Sequence, residues 1–112
     1  MKSPPDTLDP VTVLAALANV NRWQLVAQMA AGAELTLNAV VQATSRGYKA
    51  VVKDFNVLYE SGAVAVRYGK DGRVGIFYIP EKYRLVPGVV DYGFCAVRFG
   101  GAAKLVEKIP KD

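Results

Sequence analysis

A mainly α-helical domain followed by a β-hairpin, with an extended arm or extra strand beyond it, is the fold class that the sequence predicts. Three observations predict it. Apolar residues recur at helical spacing in four short segments before Gly62. The period then falls to two in "AVAVRYGKDGRVGIFYIP", with Asp71-Gly72 at its middle. The 112 residues, 52% of them hydrophobic, suffice for one packed domain, with a core over about 9–80 and an arm over 81–112.

The first helix opens at "DPVTVLAALAN". Asp9 is a suitable N-cap and Pro10 fits the first helical position. Val11, Leu14, Ala15 and Ala18 share one apolar face. The second helix, "NVNRWQLVAQMAAG", is capped by Asn19, repeats Trp23, Val26, Met29 and Ala30, and stops at Gly32. The third, "ELTLNAVVQATS", is capped by Thr36 and carries Leu37, Val40 and Val41. The fourth is "RGYKAVVKDFNVLYE", for which either Ser45 or Gly47 can serve as cap, and Gly62 ends it.

On that fourth helix Arg46, Lys49, Lys53, Asn56 and Glu60 fall on one stripe, and Val51, Phe55 and Leu58 on the opposite one. Asp54 lies off the stripe. In the hairpin, Val64, Val66 and Tyr68 alternate with Ala65 and Arg67, and Val74, Ile76 and Tyr78 do the same on the return. Asp71-Gly72 supplies residues that tolerate the positive φ of a tight turn, and Pro80 ends the pairing. The extended arm or extra strand is expected between about 89 and 99, with helix as the alternative. The termini "MKSPPD" and "EKIPKD" are short, polar and expected to be loose.

A short helix, a tight break and a longer helix leading into a hairpin is the winged helix-turn-helix arrangement. Its second helix enters the major groove of DNA and its hairpin, the wing, meets phosphates. The charge distribution agrees. Between residues 46 and 73, six cations (Arg46, Lys49, Lys53, Arg67, Lys70, Arg73) face three anions (Asp54, Glu60, Asp71), which is +3 of the chain's net +4. The candidate DNA-binding residues are Arg46, Tyr48, Lys49, Lys53 and Asn56 on the helix, and Arg67, Lys70 and Arg73 on the wing.

"LAALANVNRWQLV", the "VLYESGAV" that closes the fourth helix, and a hairpin ending in "GIFYIP" also resemble the ArsR-type winged-helix transcriptional regulators over roughly residues 14–80. The resemblance implies a cytoplasmic homodimer that binds a near-palindromic operator and represses. Metal sensors of that family carry Glu-Leu-Cys-x-Cys where this chain has "ELTLN", so Thr36 and Asn38 replace the cysteines and that metal site is missing. Where the family's helix begins with hydroxyl and amide residues, this one reads "GYKAVVKDF". Lysine contacts to the backbone, with stacking or hydroxyl contact by Tyr48, take the place of base reading there.

Composition narrows the alternatives. Without histidine the commonest general base and metal ligand is missing, and a His/Cys zinc site is excluded. There is no paired-carboxylate spacing, no Ser-His arrangement, and "GKDGRVG" lacks the strand-to-helix setting of a phosphate loop. The expectation is therefore no enzyme, no cofactor and no metal. No apolar run reaches the ~20 residues that span a bilayer, and "MKSPPD" carries no signal peptide, so a cytoplasmic protein is expected. Arg22 is expected to meet an acid or a carbonyl, Trp23 to serve the core or a dimer interface, Tyr59 to pack at the core edge, and Asp91 to solvate a turn. The single cysteine, Cys95, reads first as a small buried hydrophobe, and alternatively as a redox-sensing thiol, with Arg98 to lower its pKa, or as a thiol linking two subunits. Dimerisation falls to the first helix and the segment after Pro80. The rival function is a winged helix used as a protein-interaction module.

Overall fold

The computed structural model describes residues 3–99. Four helices come first, then two small antiparallel hairpins. α1 (Pro10–Leu17) starts at Asp9, whose carboxylate accepts from the Thr12 N–H at 3.0 Å and the Thr12 hydroxyl at 2.6 Å. Val13, Ala16 and Leu17 form its buried side. The face of Val11, Leu14, Ala15 and Ala18 points outward instead, with Val11 74% and Leu14 45% exposed. Seven of the eight residues in "PVTVLAAL" are apolar or proline, so periodicity could not say which face turns inward.

Asn19 caps α2 (Val20–Ala30), its side-chain oxygen accepting from the N–H groups of Asn21 and Arg22. Gly32, at φ 101°, closes the helix: its N–H donates to the Met29 carbonyl, and the Ala33 N–H donates to the Gln28 carbonyl. Leu25 through Ala30 are all buried, so α2 runs through the middle of the domain. Thr36 caps α3 (Leu37–Thr44) by accepting from the Ala39 N–H. Ser45 ends α3 in the left-handed region, and Gly47 is the cap of α4 (Tyr48–Ser61), which settles the two alternatives. α4 packs against α1, α2 and α3, burying Val51, Phe55 and Leu58 completely.

Gly62, at φ 86°, ends α4 and turns the chain into β1 (Ala65–Tyr68), which pairs with β2 (Gly75–Tyr78). Val66 opposes Phe77 and Tyr68 opposes Gly75. The inward set on the return is therefore Phe77 and Ile79, both buried, rather than Val74, Ile76 and Tyr78. A turn centred on Asp71-Gly72 demands this register, because it sets even-numbered residues of β1 against odd-numbered residues of β2. In that turn the Gly72 N–H donates to the Gly69 carbonyl, Gly72 sits at φ 71°, and Asp71 accepts from the Arg73 N–H. Leu35 adds a short third partner, exchanging two backbone hydrogen bonds with Phe77 at 2.9 and 2.8 Å.

Beyond Pro80 the chain makes a 3-10 turn (Glu81–Tyr83) and then a second hairpin, β3 (Val89–Asp91) with β4 (Ala96–Arg98). Neither a free arm nor a single extra strand forms over 89–99. The reason lies in the core: Val90, Tyr92 and Phe99 are buried there, and the Tyr92 hydroxyl donates to the Ala63 carbonyl at 3.0 Å. Asp91 accepts from the Gly93 N–H and so shapes the turn, as its sequence context predicts. The segment "EKIPKD" lies outside the described residues. Among the described residues, no helix is long and apolar enough to cross a membrane.

Candidate nucleic-acid interface

α4 has an inner and an outer side. On the inner side the Phe55 ring stacks on Phe77 of β2, centroids 4.2 Å apart, which fixes the first hairpin against the helix. On the outer side Lys49 and Lys53 are exposed one turn apart, and Tyr48 is 56% exposed in the first turn. Asn56 and Glu60, farther along, are half-buried. The leading N–H groups of a helix have no partner within it, and no side chain caps those of α4. The helix dipole adds partial positive charge at that end.

The first hairpin carries a second set of cations. Lys70 and Arg73 are exposed in its turn. They stand four residues beyond the Val66–Phe77 pair, past the ends of both strands. Among the described residues, no ion pair engages Lys49, Lys53, Lys70 or Arg73.

The other two arginines are held differently. Arg46 precedes α4 and is not part of its stripe; its Nη1 donates to Asp54 Oδ2 at 2.6 Å. Arg22 approaches the same carboxylate from α2, Nη1 to Oδ1 at 3.4 Å, and its Nε donates to the Ala16 carbonyl at 2.6 Å. Arg22 thus meets both an acid and a carbonyl, as expected. Asp54 is nearly buried between the two guanidinium groups. It lies three residues after Val51 and four before Leu58, on the inner arc of α4. That spacing is the signal that marks Asp54 as an inward carboxylate. Arg67 pairs with Glu34 in the α2–α3 connection, tying β1 to that loop. Thirty-three residues separate the two, too far for any local pattern to reveal.

Tyr59 packs against the core. Trp23 is 36% exposed and packs its ring at a tilt against Phe99, centroids 4.5 Å apart and planes at 45°. Cys95 is half-buried in the second hairpin's turn. Burial, with Asp91 adding to it, pushes its thiol above the ordinary range. This is the reverse of the lowering expected from Arg98, and it disfavours the thiolate that redox chemistry needs. Among the described residues, no cluster of three or more His, Cys, Asp or Glu could hold a metal ion.

No known family and no curated protein matches the chain. What the site can do follows from its groups. Two exposed lysines, a helix N-terminus and a cationic hairpin turn are all hydrogen-bond donors for anionic oxygen.

Proposed function

We propose that the protein is a double-stranded DNA-binding transcriptional regulator of the winged helix-turn-helix type, related in arrangement to the ArsR-type repressors but without their cysteine metal site. α3 and α4 are its helix-turn-helix pair, and β1–β2 is its wing. The observation that carries this reading is the pairing of faces on α4. Val51, Phe55 and Leu58 are fully buried while Lys49 and Lys53 face solvent, and a second pair of exposed cations stands on the adjoining hairpin. α4 lies with Tyr48, Lys49 and Lys53 toward the major groove, and Lys70 and Arg73 meet the flanking phosphates.

The outward apolar face of α1 supports a homodimer. Val11, Leu14, Ala15 and Ala18 are exposed without a charge among them, which is costly for a face left in water. A groove of about 780 Å³ runs beside it, lined by Val11, Ala15 and Val57 and, at its polar parts, by Asp9, Arg22 and Glu60. Two-fold symmetry then puts half-sites about one helical turn apart in an inverted repeat. The cell compartment consistent with this role is the cytoplasm, and the role is repression at an operator.

A gel-shift titration against a pool of random duplexes at low salt tests the reading. Retarded complexes are expected, with enrichment of inverted repeats after selection and weaker binding by Lys49→Ala and Lys53→Ala. Failure to retard any duplex, or binding that both substitutions leave untouched, contradicts it. The protein-interaction reading draws on one observation of its own. Leu85, Val86 and Phe94, near the second hairpin, are exposed apolar side chains. It gains if the purified protein binds no duplex yet captures another protein through Leu85 and Val86.

A further inference from the structure

Resting on the DNA reading above, we infer that Arg46 and Asp54 are positioning residues that set the pose of α4, and that Arg46 makes no phosphate contact of its own. The Asp54 carboxylate is one junction for four parts of the fold. It belongs to α4, takes Arg46 from the α3–α4 connection at 2.6 Å, and takes Arg22 from α2 at 3.4 Å. Arg22 in turn binds the last turn of α1 through the Ala16 carbonyl at 2.6 Å. A carboxylate with 7% side-chain exposure is costly to bury unless hydrogen-bond donors such as these hold it. Each donor is fixed by that need, and the first turn of α4 is fixed with it. Arg46, just before α4, is engaged by Asp54, whereas Lys49, in the first turn of the helix, has no ion-pair partner among the described residues.

Salt dependence separates a positioning cation from a phosphate ligand. Each phosphate contact contributes about 0.9 to the slope of log affinity against log salt. The inference predicts that Arg46→Gln weakens binding about tenfold or more while leaving the slope unchanged. Lys49→Gln, by contrast, lowers the slope by about 1.8 in a dimer, since two contacts are lost. It also predicts that Asp54→Asn weakens binding although it removes a negative charge from a DNA-binding protein. Arg46→Lys, which keeps a donor for Asp54, restores part of the affinity lost in Arg46→Gln.

Duplex titrations of the full chain over a potassium chloride series decide it, with circular dichroism confirming a folded state at the assay temperature. A slope for Arg46→Gln that falls as it does for Lys49→Gln overturns the inference. So does Asp54→Asn binding as tightly as wild type or tighter. If Asp54→Asn does not fold, the Arg46→Gln slope decides alone, because Arg22 still holds the carboxylate in that variant. Wild type that binds no duplex overturns the DNA reading itself, and this inference with it.

Discussion

Tyr92 shows how a single side chain joins the second hairpin to the helical core. Its hydroxyl donates to the Ala63 carbonyl while its ring lies against Tyr83, centroids 5.3 Å apart. Tyr92→Phe keeps the ring and leaves a buried carbonyl without its donor, so it should cost about 1 kcal/mol in a denaturant titration. Burial, with smaller contributions from Cys95 and Tyr83, holds the Tyr92 phenol far above its ordinary value of 10.0. The raised folded value fixes the sign. Its stabilising share is complete below pH 10, where both states keep the proton, and is lost as pH rises beyond that, where the unfolded chain ionises first. Thermal melts from pH 8 to 11 should therefore show a falling midpoint above pH 10 that is shallower in Tyr92→Phe; equal slopes would contradict this. Cys95 follows the same logic. With its thiol pushed up, it should alkylate more slowly at pH 8 than a free thiol, and Cys95→Ser should leave duplex affinity unchanged.

At the scale of the element, the caps were the most legible part of the sequence. Asp9, Asn19 and Thr36 each accept the backbone N–H bonds that their side chains are built to accept. Gly62 is constrained twice. Its φ of 86° suits glycine, and an added Cβ would stand 2.5 Å from Leu8 Cδ2. Gly62→Ala should cost about 1–3 kcal/mol of stability, read from chemical denaturation. An unchanged midpoint would mean that the α4–β1 junction is not held as described. Phe55→Ala should cost more, about 3–5 kcal/mol, because it opens the stack on Phe77 as well as the core. Two element-level features were harder to read. The inward side of α1 was hidden because both sides are apolar. Alternation alone did not say which residues of β2 face inward, although the turn fixes them: a centre at Asp71-Gly72 makes Phe77 and Ile79 the buried pair, and Val74, Ile76 and Tyr78 the outward set.

Across the whole molecule, the division of labour on α4 was visible in the sequence, whereas the use made of the neighbouring arginines, Arg46 and Arg67, was not. Lys49 and Lys53 emerge on the outer side because Val51, Phe55 and Leu58 occupy the inner one, a consequence of the 3.6 period. Arg46 and Arg67 belong to the same run of cations, yet contacts across the fold, to Asp54 and Glu34, take them up. The Arg67–Glu34 pair spans 33 residues and leaves no local trace, whereas the inward spacing of Asp54 is a local signal for its pairing with Arg46. The second hairpin was also obscure, since "VVDYGFCAVRF" suits a strand, a hairpin or an arm until Tyr92 and Phe99 have a core to enter. On the reading proposed above, the outer side of α4 and the first hairpin's turn together bind duplex DNA. The most direct test is the salt dependence of duplex binding by wild type and by a variant with Lys49, Lys53, Lys70 and Arg73 all replaced by alanine. Four phosphate contacts per protomer predict a wild-type slope of about −7 for a dimer. The variant, folded by circular dichroism, should lose both the affinity and nearly all of that slope. A wild-type slope near zero, or a variant that binds duplex as wild type does, would contradict the claim.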